Sequence, residues 1–374
     1  MATAAKLKSN SGKSASFRFR KISEVPAVTI LLMILVGLFI ISFVLGRYPV
    51  SPLDVIKVLL YQFTVLMYSI TPDFAKDAVS QVIPIAHTYP DIWDTIVIGI
   101  RLPRILAAML IGASLALAGT SFQGLFRNPL VSPDILGVSQ GAGLGAALAI
   151  LLSGNWIAIE ISAFCFALMA VGVSFFLSRV VKGNPTLSLI LAGMAIGSLF
   201  GAFLALMKYA ADPIDQLPAI TYWLMGSLAS IKSQDLLFAV IPMLIGITIL
   251  ILIRWRFNVL AMGEEEAQAL GVDTVKLRTI IVLCCTMITA SAVCISGTIG
   301  WVGLVIPHIG CLLVGPNHKR LIPVCLLLGA AYLLLIDDIA RLVASVEIPI
   351  GILTAIIGAP FFIYLLKRGG KGWA

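Results

Sequence analysis

A chain of 374 residues that is 60% hydrophobic and only 12% charged, with a mean hydropathy of +1.05, is greasier than any soluble domain needs to fill its core, and it reads as a multi-span membrane protein. The net charge of +8 comes from 26 Lys and Arg against 18 Asp and Glu without a basic patch interleaved with aromatics, so it reports loop topology rather than nucleic acid. Cysteines 165, 284, 285, 294, 311 and 325 form no C-x-x-C pair, and His87, His308 and His318 stand far apart, so neither a disulfide framework, a metal site nor a bound cofactor is expected.

Lys6, Lys8, Lys13, Arg18, Arg20 and Lys21 make residues 1–25 a basic, Ser-rich tail ahead of the charge-free run Val28 to Leu45. That run is too long for a signal-peptide core and reads as a retained first span with a cytoplasmic N-terminus. One Arg or Asp at mid-span costs about 2.5 to 3.5 kcal/mol, so charge-free stretches mark the spans. They recur at Ile105 to Phe126, Ile135 to Leu152, Ile157 to Ser178, Thr186 to Met207, Leu236 to Ile253, Thr279 to Ile295, Thr298 to Val314, Leu321 to Ile336 and Ile348 to Leu366. The predicted fold is therefore an all-α integral membrane protein of about ten transmembrane helices, with one membrane domain over 26–368, a short tail at 369–374 and both termini cytoplasmic.

The run from Thr279 to Val314 is about twice a bilayer's length and must fold back, at Ser296-Gly297-Thr298-Ile299-Gly300. With ten spans, Arg127, Arg179, Lys182, Arg254, Arg256, Lys276, Arg278, Lys319, Arg320, Lys367, Arg368 and Lys371 lie inside with the N-tail. They outnumber Arg47, Lys57, Lys76, Arg101, Arg104, Lys208, Lys232 and Arg341 outside, as the positive-inside rule requires. Residues 47–100 form an extracytoplasmic segment, in which Ser51 to Tyr68, broken by Asp54 and Lys57, reads as a surface-lying amphipathic helix rather than an eleventh span.

One long polar island interrupts the second half, and residues 258–275 within it form a cytoplasmic loop. Gly263 can cap a helix whose first turn carries Glu264, Glu265 and Glu266, where the macrodipole favours acid, and Gly271 stands where a left-handed residue ends it. Asp273 caps the next start. A helix of roughly two turns cannot span a bilayer, so it lies at the surface with Leu260, Met262, Ala267 and Leu270 offered to a partner's groove.

Arg101 and Arg104, in R-L-P-R, stand at the outer end of the second span and Arg341 at the outer end of the ninth. Spacing alone favours interfacial anchoring, with Asp337 and Arg341 as an i,i+4 pair; the other reading is a positive rim for an extracellular partner's carboxylates. Gly137, Gly141 and Gly145, like Gly193, Gly197 and Gly201, recur every fourth residue and let another backbone approach; the second set can also line a pathway. Gly137-Val138-Ser139-Gln140-Gly141 spells G-x-S-x-G, but its serine opens an apolar helix and has no partnered histidine, so a hydrolase is not expected. No P-loop occurs, and Glu160, Asp337 and Asp338 fall near span ends rather than inside spans, so energy for any active transport arrives from another chain.

Arg101 to Arg104, N-P-L-V-S-P-D-I-L-G-V-S-Q-G-A-G from Asn128, Y-W-L-M-G from Tyr222, G-E-E-E-A-Q-A-L-G-V from Gly263, G-T-I-G-W-V-G-L-V-I-P-H from Gly297, D-D-I-A-R from Asp337 and E-I-P-I-G from Glu347 occur in order. Through them the chain resembles the permease subunits of ATP-binding-cassette importers that take up vitamin B12, ferric siderophores and haem. The resemblance implies a non-catalytic pore subunit in a homodimer or heterodimer within membrane lipid, two cytoplasmic ATPases that bind the ATP and Mg, and an extracytoplasmic binding protein. It makes Gly263 to Val272 the coupling helix and Arg101, Arg104 and Arg341 the docking arginines. It also places a cytoplasmic gate at Thr186, Leu187 and Ser188, where the family has small hydroxyl residues and this chain has Leu187. The competing class is an ion-coupled secondary carrier.

Overall fold

The computed structural model describes residues 24–71, 89–180 and 185–368; the basic tails, Lys76, His87 and Lys182 lie outside them. All regular structure among the described residues is helical. Eight helices are long and apolar enough to cross a bilayer, and three more apolar helices are shorter. In chain order we label α1 Glu24–Val44, α2 Pro52–Ile70, α3 Ile92–Phe126, α4 Val138–Leu152, α5 Trp156–Val180, α6 Pro185–Ala210, α7 Gln216–Met225, α8 Ser233–Leu252, α9 Arg254–Met262, α10 Glu264–Ala269, α11 Thr274–Ser296, α12 Val302–Val314, α13 His318–Leu342 and α14 Ile350–Arg368.

The expected apolar runs all appear as helices. Two are shorter than expected, because Pro133–Leu136 is a separate 3-10 turn ahead of α4 and the loop after Gly297 continues to Trp301 before α12 starts. The fold-back between α11 and α12 occurs where the glycines predicted it: Gly297 and Trp301 both take positive φ, +68° and +70°. Trp301 is held in that conformation by α14, whose Gly358 leaves room for the indole. Two helices have no counterpart in the predicted elements: α7, and α9, which turns out of α8 at Ile253.

The bundle is organised around α3. Pro103 cannot donate to Gly99, and the preceding Thr95–Arg101 opens into a wide π turn that accommodates the missing bond. Beyond it α3 is buried along nearly every face by α11, α12 and α13. A side chain at Gly119 would overlap the Gly303 carbonyl of α12, and one at Gly112 would overlap the Gly329 carbonyl of α13. In lipid, where apolar side chains lose little by staying exposed, such backbone approach and the dispersion it recovers set which helices pair. The stripe Gly141 and Gly145 does the same work between α4 and α5, with Ser162 Oγ donating to Gly145 O at 2.8 Å.

Helix α2 is capped by Ser51, which accepts from Asp54 N at 3.3 Å, and its middle is tied outward. Gln62 Nε2 and Tyr89 Oη each donate to Asp94 at 2.9 Å, and Asp94 stands seven residues before Arg101 on α3. Arg101 in turn meets the carbonyls of Phe43 and Tyr48 at the end of α1. The middle of α2 therefore lies about 10 Å beyond that end, measured along α3, rather than back alongside α1.

Candidate functional site

The two ends of α3 carry different chemistry, Arg104 at one and Arg127 about 35 Å away at the other. At the second end Arg127 takes φ +48° and closes the helix by donating to Gln123 O. It stands in a cleft of about 620 Å³ walled by Phe126, the first turn of α6 (Pro185, Thr186, Leu187, Ile190) and residues Met262 to Glu266. The structure thus brings together two sets of residues separated by some 75 positions, the predicted gate and the predicted coupling helix.

The coupling segment is two short helices broken at Gly263, whose φ of +139° only glycine adopts freely. As the sequence indicated, Glu264, Glu265 and Glu266 fill the first turn of α10, Gly271 is left-handed at +79° and Asp273 accepts from Lys276 N at 2.9 Å. The segment is bolted down at several points. Arg278 pairs with Glu264, Phe257 stacks on His318 at 5.4 Å, and Asn258 accepts from His318 N at 2.8 Å while donating to Asn317 at 2.9 Å. These contacts tie α10 to α11 and, through α9, to α13.

One part of the predicted surface is corrected. Met262 and Leu270 are exposed, but Leu260 and Ala267 are turned into the protein and cannot meet a partner. Ser188 is likewise buried, leaving Thr186 and Leu187 at the cleft. From the sequence Arg127 reads only as an inside loop charge and Phe126 only as a span end; the Asn128-Pro129 turn after an apolar run was the available signal for their place in the cleft.

Further along α6, Gly193, Gly197 and Gly201 line a groove of about 350 Å³ with Asp134, Gln140, Met194 and Ser198. A side chain at Gly193 would overlap the Ile135 carbonyl, and one at Gly197 would lie 3.5 Å from Gly137 Cα. The stripe is thus a packing surface and a groove wall together. Ser139 of the G-x-S-x-G run donates to the Asp134 carboxylate, not to a histidine.

At the other end of α3, Arg101, Arg104 and Arg341 are brought together but enclosed, at 4%, 6% and 6% exposure. Arg104 grips Asp337 with three contacts of 2.9 to 3.1 Å and reaches Glu347 at 3.0 Å. Arg341 Nε lies 3.2 Å from Asp337, its other end pairs with Asp338, and Nη1 donates to Leu45 O at 3.2 Å. Ser42 of α1 completes the cluster by donating to Asp338 at 2.6 Å. The i,i+4 pair expected from spacing is present, whereas the open rim of free guanidiniums is not: Arg104 and Arg341 pair with Asp337, Asp338 and Glu347, Arg101 is held by backbone carbonyls, and together they clamp α1, α3, α13 and the loop before α14. The partners lie more than two hundred residues from Arg104, beyond the reach of spacing arguments.

A bundle of long apolar helices, with a buried ion-pair clamp at one end and a cleft between the first turn of α6 and Met262 to Glu266 at the other, is the build of a multi-pass membrane protein. The comparisons place it further. The family model for the FecCD transport family matches residues 32–368. Over 343 residues the chain is 40% identical to the molybdate import system permease protein of Haemophilus influenzae, covering 91% of this chain and 96% of that one. It is 39% identical over 279 residues to the hemin transport system permease protein of Yersinia pestis, covering 72% and 83%. A solved inward-facing structure, of a transporter described as ABC and metal-chelate type, superposes with a TM-score of 0.78 at 37% identity, covering 92% of this chain and 99% of that one. The chain belongs to the FecCD transport family and is a multi-pass ABC-transporter permease.

Proposed function

We propose that this permease carries a metal chelate of the siderophore, haem or cobalamin kind into the cell, driven by ATP hydrolysis on two separate cytoplasmic subunits and supplied by an extracytoplasmic binding protein. A second copy or a related permease completes the pathway. The observation that carries the reading is the shared cleft: Met262 to Glu266 and the first turn of α6 line one space, so a displacement of α10 changes the room left to the gate turn. The exposed Met262 and Leu270 offer the ATPase an apolar hold, and Glu265 and Glu266 offer it charge. The relatives supply the cargo class, since their names include hemin and cobalamin as well as molybdate.

Docking of the binding protein is proposed at the clamp end, where Glu347, 27% exposed, is the outermost carboxylate on Arg104 and the one an incoming carboxylate would replace. The test is uptake by proteoliposomes holding the permease with its ATPase. Uptake that stops with vanadate and ignores an ionophore is expected. Uptake that survives loss of the ATPase but collapses with the ionophore would select an ion-coupled carrier instead.

A further inference from the structure

The groove beside α6 contains a charge that the packing does not explain. Asp134 is exposed, accepts one hydrogen bond from Ser139, and has no Lys, Arg or His within ion-pair distance among the described residues. Its position is fixed, because the turn Pro133–Leu136 lies against the bare backbone of α6 at Gly193. Gly193 is two turns into a 26-residue apolar helix, so the carboxylate sits at the level of the spans rather than in an end loop. An unpaired carboxylate is strongly disfavoured against hydrocarbon, and no less so when buried in a dry subunit interface. Water, and whatever moves through that water, is the environment in which this side chain is stable.

We propose that Asp134, with the Gln140 amide in the same groove, forms a polar subsite of the transport pathway that favours cargo presenting positive charge or hydrogen-bond donors and disfavours bare oxyanions. The proposal rests on reading the chain as the pathway subunit. A dianion passing the groove would meet a negative charge with no cation paired to it, whereas a chelate with ammonium, amide or hydroxyl groups would meet acceptors. The glycines at 193, 197 and 201 line the same groove, and their bare backbone lets the turn that carries Asp134 and the Gln140 side chain lie close against α6.

The field of the groove can be measured without the ATPase or the natural cargo. In full-length Ser198→Cys permease in nanodiscs, the labelling rate of the introduced thiol is followed by peptide mass spectrometry. The reagents are a cationic methanethiosulfonate (ethyltrimethylammonium) and an anionic one (ethylsulfonate). One nearby exposed carboxylate shifts each rate about threefold in opposite directions, so the cationic reagent should win by about tenfold beyond its ratio on a free thiol. Asp134→Asn should remove that excess and Asp134→Glu should keep it, which controls for misfolding. Ferrioxamine B, a cationic ferric chelate, should slow labelling more than molybdate at equal concentration. No labelling by either reagent, a ratio equal to the free thiol's, an excess that persists in Asp134→Asn, or stronger protection by molybdate would each overturn the assignment. Loss of ATP dependence in the uptake assay would overturn the transport reading instead, so the two failures are told apart.

Discussion

Replacing Arg104 by Met asks whether the clamp is part of the fold or a docking surface in waiting. In the structure its guanidinium is 7% exposed and contacts Asp337, which is fully enclosed, together with Glu347. Removing the cation leaves Asp337, Asp338 and Glu347 with Arg341 as the one ion-pair partner among the described residues. Breaking a buried pair from one side costs about 3 to 5 kcal/mol, and two features hold the cost to the lower end. Arg341 remains 3.2 Å from Asp337, and Glu347 is exposed enough to turn into water. At up to about 2 °C per kcal/mol for a chain of this size, the melting temperature in detergent should fall by about 4 to 6 °C. Asp337→Asn should fall by a similar amount. The double substitution Arg104→Met with Asp337→Leu should recover most of either loss, because a well-packed apolar pair replaces a buried ion pair at little cost. Fluorescence-detected size exclusion after heating reads all three. An Arg104→Met variant within about 1 °C of the parent, or a double variant no better than the singles, would refute the clamp.

Met262→Asp with Leu270→Asp should abolish ATPase co-purification while leaving the melting temperature within about 2 °C, since both side chains are exposed; Leu260→Asp should lower the melting temperature itself. A side chain at Gly119 collides with the backbone of Gly303, which cannot turn away, so Gly119→Leu should yield little monodisperse protein, whereas Gly37→Leu, with open space around it, should be silent.

Much of the fold was legible because lipid leaves only one solution to backbone hydrogen bonding: every long apolar run must be a helix, and charge marks the ends. The caps around α10 were legible for a similar reason, since Gly263, Gly271 and Asp273 each have a narrow set of conformations they suit. What the sequence did not reveal depends on the third dimension. Periodicity could not say which faces of α9 and α10 turn inward, so Leu260 and Ala267 were read with Met262 and Leu270 although they are buried. Arg104 and Glu347 are 243 positions apart, and nothing in either's neighbourhood announces the other. Helix α9 was missed because Arg254-Trp255-Arg256-Phe257-Asn258 has no apolar period; its register is set by the stacking of Phe257 on His318 and by the Asn258 bonds to the start of α13.

The central claim is that the coupling helix moves the gate turn across the cleft they share. Spin labels at Leu187 and Glu265, in the complete transporter in nanodiscs, measure that cleft by double electron–electron resonance. A separation that shifts between nucleotide-free and ATP–vanadate-trapped states is the predicted result; a distribution unchanged between the two states, in a preparation shown to transport, would contradict it.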